Sequence, residues 1–514
     1  MKKRSILLIT NIILFMCIAS AQNSIILRTS EAKDTISKNI YGHFAEHLGR
    51  CVYDGLYVGD NKKIPNKNGI RTDIVEALKK LKVGVLRWPG GCFADGYHWM
   101  DGIGPKAQRK HTENVAWGNV RENNAFGTHE FLELCDMIKA EPYLALNMGS
   151  GTVQESSDWV KYVNHANSSS YLTDMRAKNG RSKPWNVKYW GVGNESWDCG
   201  GNMTASQYVS EYRKYATHIT NYGNSEDLFR IAVGPGSEDY NWTETVMRDI
   251  PSKLIEGLSV HHYSVINWSA KGSATLFPEQ EYFRTMEQAW RMERFITKNS
   301  EIMDKYDPKK KVALIVDEWG GWYEVESGTN KNFLYQQNTM RDAMIAGLSL
   351  NIFHNHADRV RMANLAQIVN VLQAVILTKE EKLILTPTYH VMEMYNVHQD
   401  AVMIPVTVTS EDYVMGDKKL QAVSASASKD KNGITHVSLV NIHSTKEQTI
   451  TINLGNSGAK SVTGRILSSS NIQDHNTFDK PNTVVPASFN KATLNGNELK
   501  ISLPPFSVVV LELK

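Results

Sequence analysis

A chain of 514 residues, 41% of them hydrophobic, carries more apolar material than one core usually organises, so two domains are expected. Its 57 basic and 54 acidic residues are mixed along the chain and leave a formal charge of +3. That balance excludes a phosphate-tracking surface for nucleic acid and favours a neutral partner.

At the N-terminus, Met1-Lys2-Lys3-Arg4 precedes an apolar stretch from Ile6 to Ile18 and then Ala19-Ser20-Ala21, the layout of a signal peptide cleaved after Ala21. The apolar stretch is short for a membrane span and Asn11 interrupts it, so an uncleaved anchor fits less well. A lipoprotein role for Cys17 is weakened by the bulky Met16 before it. The expectation is an exported protein, periplasmic or extracellular, with no membrane association after cleavage. The remaining cysteines, Cys51, Cys92, Cys135 and Cys199, lack the close pairing of a zinc site or a disulfide-dense scaffold. No metal and no cofactor is expected, and Cys51, Cys135 and Cys199 read as buried small hydrophobes.

From about residue 38 short apolar runs alternate with amphipathic stretches, the signature of a parallel sheet. The expected strands are Ile40–Phe44, Val83–Arg87, Pro142–Asn147, Val187–Gly193, Arg230–Val233, Leu258–His262, Val312–Asp317 and Leu348–His354. Expected helices include Thr72–Leu81, His129–Lys139, Ser206–Asn221, Tyr282–Tyr306 and Asn338–Ala346. Eight such units predict an α/β fold, a (β/α)8 TIM barrel over residues 40–400. A doubly wound sheet would carry a glycine-rich nucleotide loop after its first strand, and Gly42-His43-Phe44-Ala45-Glu46 is not one.

After about residue 400 the pattern turns to β-type runs at Thr435–Val440, Thr449–Leu454, Val462–Leu467, Glu498–Leu503 and Ser507–Leu511, separated by turn residues. Residues 401–514 are expected to form an all-β sandwich, joined by the strand-like Ser24–Arg28 within the segment 22–39.

Barrel chemistry sits at the carboxyl ends of the strands. Here those ends read Glu46-His47, Arg87, Asn147, Asn194-Glu195, His261-His262-Tyr263, Asp317-Glu318 and His354-Asn355-His356. Burying such groups without partners costs several kcal/mol, so a purely structural barrel has no use for them. Glu195 and Glu318 close the fourth and seventh expected strands, 123 positions apart, and can converge on one bond across the mouth. Paired carboxylates are what glycoside cleavage needs, one to protonate the leaving oxygen and one to attack or to activate water. The plainer alternative is a structural ion-pair network. A second Gly-Asn-Glu, at Gly496-Asn497-Glu498, sits where Asn495-Gly496 makes a hairpin turn, so it reads as structural. Trp88, Trp99, Trp117, Trp197, Trp319 and Trp322 follow strand ends, where a minority can stack on sugars; Trp319, next to Glu318, is one candidate for substrate binding.

Tyr41-Gly42-His43-Phe44-Ala45-Glu46-His47, Arg87-Trp88-Pro89-Gly90-Gly91, Tyr97-His98-Trp99, Asp101-Gly102-Ile103-Gly104-Pro105, Asn124-Ala125-Phe126-Gly127-Thr128, Gly193-Asn194-Glu195 and Asp317-Glu318-Trp319 stand in the order and spacing of one family. From about Ile40 to Thr378 the chain resembles glycoside hydrolase family 51, the α-L-arabinofuranosidases. The resemblance implies an exo-acting, retaining hydrolase of arabinan, arabinoxylan or derived oligosaccharides, with Glu195 as acid/base and Glu318 as nucleophile. It also implies that Arg87 and Tyr263 hold Glu318, that His261 or its neighbour His262 stands by the acid/base, and that Glu46, Asn194 and Gln367 bind furanose hydroxyls. A homo-oligomer is admitted as well. Cys92 stands where many relatives place a sugar-binding asparagine; it is expected to line the pocket as a free thiol, a poorer hydrogen-bonding group. Rival functions are another retaining glycosidase of the same clan, a β-xylosidase or endoglucanase, or a non-catalytic carbohydrate-binding protein. The last would normally have lost a carboxylate, and both are present.

Overall fold

The computed structural model describes residues 23–166, 170–222 and 227–514. The expected leader, residues 1–21, lies outside them. Among the described residues no helix is long and apolar enough to cross a membrane.

Eight parallel strands close into a barrel: Gly42–Phe44, Val85–Trp88, Glu141–Leu146, Tyr189–Val192, Phe229–Ala232, Gly257–Ser264, Ala313–Gly321 and Val360–Ala366. We call these the first to eighth barrel strands. The eighth pairs with the first, Leu365 opposite His43, which leaves the barrel without an edge. Helices pack outside it because their apolar residues fall on one stripe. In Thr72–Leu81 the buried residues are Ile74, Val75, Leu78 and Leu81, at the three- and four-residue spacing that faces a core.

The eighth strand corrects the sequence expectation. Residues 348–354 are not a strand but the second half of one helix, Met340–Asn355, in which Met340 through His354 are all buried. A helix apolar on every side has no stripe, and a short apolar run cut from it looks like a buried strand. The helix is enclosed because it also packs against a sheet outside the barrel: Asn351 Nδ2 donates to Ser424 Oγ at 3.2 Å and His354 Nδ1 lies 2.9 Å from Ser426 Oγ. His354 is therefore not at the barrel mouth; its Nε2 meets the Tyr41 hydroxyl at 2.8 Å.

That outer sheet has six strands, in the order Val402–Ile404, Val423–Lys429, Thr435–Asn441, Ser507–Leu513, Val462–Leu467 and Ala487–Ser488. A five-stranded sheet runs Val406–Thr409, Ser24–Leu27, Gln448–Asn453, Glu498–Leu503 and Ala492–Asn495. Ser24–Leu27 thus lies between two C-terminal strands, antiparallel to one and parallel to the other, with Ser24 opposite Thr409 and Thr451. Alternation along Glu498–Leu503, where Leu499, Ile501 and Leu503 are buried, gives this sheet one apolar face.

Candidate active site

A cavity of about 680 Å³ opens at the carboxyl ends of the barrel strands, where Glu46, Glu195, His261, Tyr263, Glu318 and Gln367 all contribute to its wall. Glu195 follows the fourth strand through a tight turn in which Gly193 has φ +92° and Glu195 itself φ +36°. A left-handed glutamate costs roughly 1–3 kcal/mol and persists only where its surroundings hold it. Here Asp198 N and Gly200 N both donate to the Glu195 carbonyl, at 2.7 and 3.1 Å.

Glu318 lies within the seventh strand. Adjacent strand residues ordinarily face opposite ways, yet Asp317 and Glu318 both engage the mouth. Register shifts between Ser259 and His261 and between Val316 and Trp319 re-aim them, as bulges beside active sites do. Arg87 Nη1 donates to Glu318 Oε1 at 2.8 Å and Tyr263 Oη donates to Glu318 Oε2 at 2.8 Å. Arg87 Nη2 donates to Asn194 Oδ1 at 2.6 Å, and Nη1 also reaches the Asp317 carbonyl at 3.0 Å. Arg87 and Asn194 are buried behind the cavity wall and do not line it. The loop after the second strand approaches closely because it is Gly90-Gly91: a Cβ at Gly91 would meet Glu318 Oε1 at 3.1 Å, and one at Gly90 would meet Glu46 Cγ at 2.8 Å.

His261 bridges the two halves. Its Nδ1 lies 2.8 Å from Glu195 Oε1 and 3.5 Å from Glu318 Oε2, and its Nε2 lies 3.1 Å from Asp317 Oδ1. Burial works against a charge on this imidazole, but Glu318 and Asp317 outweigh it and hold the pKa up at about 10, so it is a cation. His262 also lines the cavity but is held elsewhere in it: its Nε2 donates to the Gln288 carbonyl at 2.8 Å, and burial pushes its pKa down to about 4. Glu195 is raised above the usual glutamate range, first by burial, against the pull of His261, with the charge of Glu318 adding to the rise. One oxygen of Glu195, one of Glu318 and a nitrogen of His261 lie within 4.8 Å of one another.

Glu46 Oε1 accepts from Gly91 N and Trp117 Nε1, both at 2.9 Å, and Gln367 Nε2 donates to Glu46 Oε2 at 2.7 Å. Burial raises the pKa of Glu46, helped by Glu318.

Two candidates depart from expectation, one in its place and one in its bonding. Trp319 does not line the cavity: it is fully buried and meets Phe353 of the enclosed helix edge-on, ring centroids 5.3 Å apart. As the residue after Glu318 it points to the outside of the barrel wall, into the helix layer. Cys92 does line the cavity, but not as a free thiol, because it forms a disulfide with Cys199, the Cα atoms 5.6 Å apart. The loops after the second and fourth strands meet over the mouth and bring together cysteines 107 positions apart. Cys199 is accordingly not a buried hydrophobe, whereas Cys51 and Cys135 are free and buried.

Other contributors were not singled out from the sequence. Asp317 accepts from Tyr143 Oη at 2.8 Å and sits beside Arg87 and His261. Burial would raise its pKa, but Arg87 and His261 dominate and depress it. Its signal was adjacency to Glu318. Trp268, 58% exposed, packs edge-on against Trp322 at 5.5 Å on the cavity rim, and Trp322 packs against Tyr263. Of the six tryptophans near strand ends, Trp117, Trp197 and Trp322 line the cavity, while Trp88 and Trp99 are core with Trp319. Among the described residues, one set of ligand-type atoms besides Glu195, His261 and Glu318 converges at the mouth, the sulfurs of Cys92 and Cys199 with Glu195.

A (β/α)8 barrel with two carboxylates converging on one aromatic-walled cavity defines a glycoside hydrolase. The model of the α-L-arabinofuranosidase 1 domain matches residues 77–279, and that of the α-L-arabinofuranosidase C-terminal domain matches residues 317–507. A relative from Bacteroides ovatus, named as an intracellular exo-α-L-arabinofuranosidase, is 51% identical over 96% of each chain. The crystal structure of the family 51 arabinofuranosidase of Xanthomonas axonopodis pv. citri superposes with a TM-score of 0.94 at 43% identity, covering 96% of this chain and 100% of that one. That of the Thermotoga maritima α-L-arabinofuranosidase in complex with arabinose gives 0.84 at 32% identity, over 96% and 99%. The chain belongs to the α-L-arabinofuranosidases of glycoside hydrolase family 51. The expectation of export is corrected by the same comparison: the Bacteroides ovatus relative, similar over nearly its whole length, is named as intracellular.

Proposed function

We propose that the protein is a retaining exo-α-L-arabinofuranosidase that removes terminal non-reducing α-L-arabinofuranosyl units from arabinan, arabinoxylan or oligosaccharides derived from them. The observation that carries this reading is the approach of Glu195 and Glu318 to within 4.8 Å, oxygen to oxygen. Retaining pairs stand about 5–5.5 Å apart, inverting pairs about 6.5–9.5 Å, because the latter must admit a water.

The partners assign the roles. Glu318, gripped by Arg87 and Tyr263, serves as the nucleophile, its anion stabilised by two donors. Glu195, whose pKa burial raises, is the better placed of the two to give a proton to the leaving oxygen. Bonding of Glu318 to the sugar removes a negative charge near Glu195, which lowers the pKa of Glu195 and turns it into the base that activates water. Glu46, fixed by Gln367 and Trp117 in the cavity wall, is placed to receive the furanose hydroxyls.

Comparing hydrolysis of 4-nitrophenyl α-L-arabinofuranoside with that of the β-D-xyloside, and sugar release from arabinan, arabinoxylan and cellulose, tests the substrate. Release of free arabinose from the ends of arabinan supports the reading. Preference for the xyloside, or internal cleavage of cellulose, refutes it.

A further inference from the structure

We propose that the Cys92–Cys199 disulfide masks an inhibitory metal site: once reduced, the two thiolates and Glu195 take up a thiophilic divalent cation such as Zn²⁺, which removes Glu195 from catalysis. The sulfur of Cys199 lies 3.7 Å from Glu195 Oε2, and one oxygen of Glu195 and both sulfurs fall within 4.8 Å of one another. The other oxygen, Oε1, is occupied by His261, so Oε2 is the one turned to the sulfurs. Cys92 and Glu195 line the open cavity and Cys199 is exposed beside them, which gives a cation an entry path and leaves room for a water or a sugar hydroxyl as fourth ligand.

The dimensions suit the ion. Zinc binds thiolate at about 2.3 Å and carboxylate oxygen at about 2.0–2.2 Å in a tetrahedron. Sulfurs set free from their bond need only part to roughly 3.7 Å for that geometry, a side-chain rotation. The Cα separation of 5.6 Å accommodates it without moving either loop. While the disulfide is intact neither sulfur carries a charge, and a neutral disulfide is a poor ligand. A dithiol reductant passes two electrons and two protons to the sulfurs, leaving two thiols and an oxidised, cyclic form of itself. The cation then displaces both thiol protons to solvent.

The effect on rate rests on the acid/base role proposed for Glu195, whereas binding is read without it. The full-length enzyme is reduced with dithiothreitol, desalted under nitrogen and titrated with Co²⁺, whose thiolate complexes absorb by charge transfer in the near ultraviolet. The reduced enzyme should bind one Co²⁺ per chain with that absorption, and the oxidised enzyme, reduced Cys92→Ser and reduced Cys199→Ser should not. Reduced Glu195→Gln should bind at least about tenfold more weakly. Saturating Zn²⁺ should cut arabinofuranosidase activity of the reduced enzyme by roughly a hundredfold, reversibly with a chelator, and spare the oxidised form. Absence of the charge-transfer band, or the same band in Cys92→Ser, overturns the proposal. A bound cation that leaves the rate unchanged overturns it too, since Glu195 is then not engaged. An oxidised enzyme inert toward arabinofuranosides is a failure of the functional reading instead, and the cobalt titration still decides the site.

Discussion

His261 meets Glu195 through Nδ1 at 2.8 Å, so the residue proposed as acid/base is paired with an imidazole whose pKa Glu318 and Asp317 hold up at about 10. The pairing tunes the pH profile. A cation beside a carboxyl lowers its pKa, so His261→Gln should raise that of Glu195 further above the usual glutamate range. The alkaline limb of kcat/KM, set by loss of the Glu195 proton, should then move up by about one pH unit while the maximum falls at least about tenfold. An unmoved limb in a pH–rate series would show that His261 does not set the protonation of Glu195.

Arg87 touches Glu318, Asn194 and the Asp317 carbonyl from one planar group. A lysine keeps the charge but cannot span three acceptors, so Arg87→Lys should lose roughly 100-fold or more in kcat. Arg87→Met leaves the buried Asp317 and Glu318 with His261 and two tyrosine hydroxyls but without the guanidinium, and should cost about 3–5 kcal/mol in denaturant unfolding.

Trp319 and Trp117 should separate stability from binding. Trp319→Ala empties a fully buried site and should destabilise by about 3–5 kcal/mol. Where that variant folds, it should keep a near-normal KM. Trp117→Phe removes the donor to Glu46 and should raise KM about tenfold with little change in melting temperature.

Three buried histidines predict acid sensitivity of the fold. Burial pushes His43 and His354 down to about 3, and His398 well below the ordinary histidine range. Their folded-state pKa values lie below the unfolded value of about 6.5, so their contribution is intact above that pH and is lost as pH falls through the window below it. His43 and His354 should each cost roughly 1.4 kcal/mol per pH unit between about 6 and 4, and His398 should add to the loss in the same direction. His354→Gln should flatten the slope of unfolding free energy against pH by one histidine's share in that range, as measured by urea unfolding.

The sequence made the paired carboxylates legible because strand ends in a barrel are the one place where buried acids need a chemical reason, and both glutamates close runs whose β character is plain. It misplaced the eighth strand because helix Met340–Asn355, enclosed between the barrel and the six-stranded sheet, has no exposed face to reveal its period. The disulfide was out of reach for a different reason: its halves are 107 residues apart, and pairing depends on which loops meet over the mouth. Trp319 was misread because motif adjacency to Glu318 says nothing about which side of the barrel wall the next side chain occupies.

The most direct test of the central claim is the anomeric configuration of the product in azide rescue, followed by NMR with a 4-nitrophenyl arabinofuranoside. Glu195→Ala should keep the first step on this good leaving group, and azide should intercept the enzyme-bound sugar to give α-arabinofuranosyl azide, the configuration retained. Glu318→Ala should lose at least about 10⁴-fold in kcat, with no retained azide formed. An inverted product from the wild-type enzyme, or retained azide from Glu318→Ala, would contradict the assignment of Glu318 as nucleophile and Glu195 as acid/base.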